Sequence, residues 1–198
     1  MLTLQSAFKD AMRLWQTKSP DEPPKQGFPV YDCFKDLEKI VRTAAILQGG
    51  GDLIVTASVG KGNWAKIPWI GMRYNDLATN FQEGIYIVYL LSPDYNRLYL
   101  TIIQGVTKHT AEELHGMTPF LRNEIEKPEG FIVGIQGKLS RQARFNPLPD
   151  KYERGILYSK FYDMATFPGD DELKKDLKSA VQVYKAYLTS TTLQRGTT

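Results

Sequence analysis

The chain opens on an amphipathic pattern. Leu4, Phe8, Ala11, Met12 and Trp15 recur at helical spacing with Lys9, Asp10 and Arg13 on the other side, which predicts a helix over residues 3–17, ended by Pro20, Pro23 and Pro24. A second face built from Val30, Phe34, Leu37, Val41 and Ala44 predicts another helix that stops at Gly49, Gly50 and Gly51. The period then changes from helical to alternating. Leu53, Val55, Ala57 and Val59 alternate with Ile54, Thr56 and Ser58, and Ile67 to Met72, Ile85 to Leu91 and Leu98 to Ile103 read as further strands. Ser92 to Arg97 is a turn, so the economical pairing is an antiparallel meander.

Thr110 and Glu113 form a capping-box pattern for a helix running to about Glu126, which Gly116 and Pro119 predict to be broken or short. Phe131 to Ile135 reads as a strand, Gly137 to Asp150 as a long polar and basic loop, and Tyr152 to Tyr162 as a strand or strand pair. A last helix starts near Asp170, where three acidic residues suit the positive end of its dipole, and buries Leu173, Leu177, Ala180, Val181, Tyr184 and Leu188. The sum is an α+β domain, a largely antiparallel twisted sheet with two N-terminal helices and a C-terminal helix packed on it. At 198 residues one core is expected, a single domain over 1–188 followed by a polar tail or linker start over 189–198.

Composition narrows the class. With 42% hydrophobic and 24% charged residues the chain reads as globular, and no stretch approaches the roughly 18 apolar residues of a membrane span. The start lacks a basic segment and an apolar signal core, so secretion is not expected. The single cysteine, Cys33, cannot form an internal disulfide, which suits a reducing cytoplasm. Net charge is only +3, but its distribution is lopsided. Lys138 to Lys160 holds six basic residues against two acidic, and Gly60 to Arg73 holds Lys61, Lys66 and Arg73 with no acid. Basic clusters beside aromatic residues are the footprint of nucleic-acid binding, and equally common on solvated loops.

Reactive chemistry is sparse. No phosphate-cradling G-x-x-x-x-G-K-[ST] loop or G-x-S-x-G elbow occurs, and His109 and His115 have neither cysteines nor an H-x-E pairing beside them. Cys33 sits among apolar helical positions, as a small hydrophobe does, and Glu172-Leu173-Lys174 opens a helix as surface charge. The informative stretch is Gly60-Lys61-Gly62-Asn63-Trp64-Ala65-Lys66-Ile67-Pro68-Trp69. Two glycines flank a basic residue at a strand end, and the chain re-enters the sheet through a proline, which gives a projecting finger. On pattern alone, a tight turn with both tryptophans in the core serves as well.

This G-x-G-N-W-x-x-I-P-W run, with Gly84 to Leu90, Leu98 to Gly105 and the D-x-x-L-x-x-D-L-K helix from Asp170, resembles the N-terminal DNA-binding domain of the McrB family. The likeness takes in both leading helices and is loose over Thr107 to Lys151. It implies a prokaryotic, cytoplasmic, non-catalytic module of a modification-dependent restriction system that defends against phage. Such modules are understood to bind duplex DNA and extrude a methylated base, 5-methylcytosine being the type case, into an aromatic pocket. Carried over by position, Trp69, Tyr86, Leu90 and Tyr152 match pocket residues, although ordinary sheet packing accounts equally well for Tyr86 and Leu90 on pattern alone.

The resemblance also implies a finger of Lys61, Asn63, Trp64 and Lys66 against the DNA groove. Where the best-known member carries a wedging tyrosine between the two glycines this chain has Lys61, which leaves Asn63, Trp64 or another residue to fill the vacated stack. Arg73, Arg141, Arg144, Lys151 and Arg154 are the candidate phosphate contacts. No cofactor is expected in this domain; GTP and magnesium would serve an AAA+ motor in the same protein, and a McrC-type nuclease would be the partner subunit. The rivals are a nuclease or other nucleic-acid-processing domain, and a general nucleic-acid binder indifferent to modification.

Overall fold

The computed structural model describes residues 3–19, 21–92, 94–139 and 148–195. Helix α1, Leu4–Trp15, starts at a capping box in which Thr3 and Ser6 satisfy each other's backbone N–H groups. Its inward residues are the five that the spacing predicted, with Ala7 buried at the same face. Helix α2, Pro29–Ala45, has its proline in the first turn, where no hydrogen bond is lost. It runs into one π-helical turn, Ile46–Gly50, in which Gly49 takes φ +90°, a conformation that a side chain would resist.

Among the described residues the sheet has six strands, all antiparallel: β1 (Ile54–Ser58), β2 (Trp69–Arg73), β3 (Ile85–Leu91), β4 (Arg97–Gln104), β5 (Ile132–Val133) and β6 (Ile156–Asp163), in spatial order β1-β2-β3-β4-β6-β5. The first four form the meander that the turn signals predicted. Both faces of the sheet are covered, so β3 is buried at all seven positions. Ile85, Ile87, Tyr89 and Leu91 face α1, α2 and the C-terminal helix α5 (Asp170–Arg195). Tyr86, Val88 and Leu90 face the other way, toward a smaller apolar cluster. Because side chains alternate along a strand, packing the odd residues under the helices delivers the even ones to that second face.

Four expectations need correction. The helix from the Thr110 capping box, α3 (Ala111–Glu124), is continuous through Gly116 and Pro119. Contacts on both sides of the proline hold it: Gln104 Nε2 donates to the buried Thr118 hydroxyl, and the Arg122 guanidinium donates to the Leu157 and Ile156 carbonyls. Tyr152 lies on a short helix, α4 (Leu148–Gly155), and not on a strand. An Asp150–Arg154 pair at 2.9 Å supports that helix, which ends at Gly155, where a Cβ would overlap Val106. The strand expected over Phe131 to Ile135 shrinks to Ile132–Val133, the edge beyond β6. Finally, α5 continues to Arg195, into the stretch read as a polar tail or linker start, with the Thr189 hydroxyl donating back to the Lys185 carbonyl. Among the described residues no helix is long and apolar enough to cross a membrane.

Candidate functional site

The finger between β1 and β2 is built on two positive-φ glycines, Gly60 at +111° and Gly62 at +76°. At Gly60 a Cβ would overlap the Asn63 carbonyl oxygen, and the Ala65 N–H donates to the Val59 carbonyl at 2.8 Å, which closes the turn. Lys61, Asn63 and Lys66 stand exposed on it. Trp64 does not. Its indole N–H donates to the Ser19 carbonyl at 2.7 Å and its half-buried ring meets Trp15 edge-on, centroids 5.5 Å apart, so it anchors the finger to the helical side. Trp64 also lines the cleft that runs beside the finger. Pro68 sits one residue before β2, outside the ladder, and its carbonyl accepts from the Leu91 N–H at 3.2 Å.

Trp69 opens β2 on the face away from α1, α2 and α5, directly across from Leu90. Leu90 in turn pairs with Tyr99, and Tyr99 with Phe161, which sets one cross-strand row of large side chains over β2, β3, β4 and β6. Tyr86 lies further down β3 on the same face. Tyr152 reaches this cluster from α4, whose position is fixed by the Arg122 bonds at the start of β6 and by the Leu139 N–H donating to the Glu153 carboxylate. All four expected pocket residues therefore belong to one apolar cluster, with Tyr86 and Leu90 buried and Trp69 and Tyr152 half-buried.

Burial raises the ionisation of both tyrosines above the ordinary phenol range, and for Tyr86 the proximity of Tyr152 adds to it. Both are neutral hydroxyls at physiological pH. Burial likewise raises the half-buried Cys33 thiol, as an unreactive packing residue requires.

Sequence reasoning missed Phe81 and Gly71. Phe81 lies 5.0 Å from Trp69 and 5.2 Å from Tyr86 between ring centroids, joining them. The only signal was an aromatic among the polar residues Thr79, Asn80, Gln82 and Glu83. Tyr99 and Phe161 were also passed over; their rings are 6.3 Å apart and the Arg97 guanidinium lies 5.2 Å over Phe161.

A cleft of about 630 Å³ lies beside the cluster, lined by Asn63, Trp64 and Lys66 of the finger and by Lys18, Leu139 and Pro149. Ile67 and Leu139 line the cleft and also belong to the aromatic cluster, so the two adjoin. Of the candidate phosphate contacts, Lys151 is half-buried on α4 and Arg154 is exposed but paired with Asp150. Arg73 is turned inward: its Nη1 donates to the Ala78 carbonyl at 2.6 Å and to Asn75, and the guanidinium lies over Phe81. Arg141 and Arg144 lie outside the described residues.

The family model of the MrcB-like N-terminal domain matches residues 11–189. The match covers most of the chain, which belongs to this family. No curated protein matches it.

Proposed function

We propose that this MrcB-like N-terminal domain binds duplex DNA carrying a methylated base, a modified cytosine in the first instance, and reads that base by drawing it out of the stack into an aromatic pocket. The observation that supports the reading is convergence. Trp69, Tyr86, Leu90 and Tyr152 come from two strands and a helix, yet share one apolar cluster on the sheet face opposite the main helical layer. Enclosing a base methyl on all sides requires the base to leave the duplex, and an aromatic face replaces the stacking lost, at about 1–3 kcal/mol per base. Apolar walls favour the methyl over water.

Around that pocket, exposed Lys61, Asn63 and Lys66 are the groove contacts of the finger, and Lys151 and Arg154 approach from α4 as phosphate contacts; Arg141 and Arg144 are further candidates for phosphate by sequence. The chemistry of restriction belongs elsewhere in this reading. An AAA+ motor in the same protein uses GTP and magnesium, and a McrC-type nuclease cuts; the domain itself selects the site as a phage-defence sensor.

The test is a gel-shift series on one duplex carrying cytosine, 5-methylcytosine, 5-hydroxymethylcytosine, N4-methylcytosine or N6-methyladenine. At least one modified duplex should bind about tenfold or more tightly than the plain one. Equal affinities across the series refute base reading and leave a general nucleic-acid binder, and cleavage of the duplex by the isolated chain with magnesium refutes a pure reader.

A further inference from the structure

We infer that Phe81 is a specificity-determining residue, a fourth aromatic wall of the modified-base pocket seated by Gly71; the inference rests on the pocket reading above. On the site face of β2, Trp69 is followed two residues later by Gly71, which pairs with Val88. A side chain is therefore missing from the sheet surface between Trp69 and the neighbourhood of Tyr86. Phe81 fills it. A Cβ on Gly71 would overlap the Phe81 ring at three carbons, so the ring lies directly on the glycine.

The loop that carries Phe81 connects β2 to β3 and is moored rather than loose. Arg73 holds it through the Ala78 carbonyl and the Asn75 side chain, and its guanidinium covers the ring at 5.6 Å. Gly84 closes the loop at φ +75°, where a Cβ would overlap the Leu77 carbonyl. The loop thus holds Phe81 as a half-buried ring, tilted 55° to Trp69 and perpendicular to Tyr86 at 88°. Three rings at such angles form a corner, and a planar base entering against Trp69 or Tyr86 meets Phe81 on its next side. Gly71 sets how deep that corner is, since any larger residue lifts Phe81 off the sheet and narrows it.

The readout is the affinity ratio between the preferred modified duplex and its unmodified twin, together with thermal midpoints and the fluorescence of 2-aminopurine at the target position. Phe81→Leu keeps most of the volume but loses the aromatic face, and should lower the ratio about tenfold with a near-unchanged midpoint. Phe81→Ala and Gly71→Ala should lower it too, the 2-aminopurine signal falling in step. Phe120→Ala, on an exposed ring of α3, should keep the wild-type ratio. A discriminating wild type with an undiminished ratio in Phe81→Leu overturns the role of Phe81 while the pocket reading stands. A wild type that does not discriminate overturns both.

Discussion

Trp64 stands perpendicular to Trp15, their rings at 86° and 5.5 Å between centroids, so the tip of the finger is tied to the first helix through two tryptophans forty-nine residues apart. Five residues on, Trp69 packs on the other side of the sheet against Phe81. One short segment thus serves both faces. Trp64 fixes where the finger stands, and Trp69 joins the aromatic cluster beside it; the exposed Lys61 and Asn63 are carried on the loop between β1 and β2.

The finger depends on Gly60 more than on Gly62. Both take positive φ, but a Cβ at Gly60 overlaps the Asn63 carbonyl while Gly62 has open space around it. Gly62→Ala should cost about 1 kcal/mol of backbone strain, whereas Gly60→Ala should cost more and weaken binding to every duplex by displacing the tip. Equal thermal midpoints for the two variants refute the steric part of this account.

Trp69→Ala and Tyr152→Ala should abolish discrimination between modified and unmodified duplex in the gel-shift series. Tyr152→Phe should retain it, because the contribution assigned to Tyr152 is its ring and not a hydroxyl kept neutral by burial. Discrimination surviving in Trp69→Ala removes that ring from the pocket.

Lys66 is exposed beside the cleft on the finger expected against the DNA groove, and as a cation there it would neutralise phosphate charge, so Lys66→Ala should weaken all duplexes alike. The slope of log affinity against log salt should fall by about one unit, the loss of one phosphate neutralisation. A slope unchanged from wild type assigns Lys66 to solvent.

Arg122 clamps the junction that carries α4, donating to the Ile156 carbonyl at 2.9 Å and the Leu157 carbonyl at 3.1 Å. The Gly134 N–H also serves Leu157, so Arg122→Ala strands chiefly the Ile156 carbonyl. A loss of about 1–3 kcal/mol is expected, seen as a midpoint lower by several degrees. An unshifted thermal midpoint shows that the clamp contributes nothing.

Burial raises the ionisation of Tyr86, Tyr152 and Tyr162 in the fold. In the unfolded chain these phenols titrate near pH 10, so the unfolded state releases protons first. Their contribution to stability is complete below about pH 10 and declines as pH rises through the higher folded-state values, by up to about 1.4 kcal/mol per group per pH unit. Urea midpoints at pH 9 and pH 11 measure this, and identical values refute it.

Much of the architecture was determined by the sequence alone. The apolar spacing from Leu4 to Trp15, the capping box at Thr110 and the alternating runs around Ile85 to Leu91 are local signals, and each produced its element because propensity and pattern agreed. The finger was legible for the same reason, since two glycines around a lysine specify a backbone conformation before any packing occurs. What tertiary structure decided was non-local. Pro119 survives inside α3 because Thr118 and Arg122 are held by β4 and β6, partners that no local window contains. Tyr152 turns from strand to helix because α4 packs against α3 and delivers it to the cluster. Phe81 became visible only when Gly71 was seen beneath it: a missing side chain on one strand and an aromatic ring in a loop complement each other only once the chain has folded back.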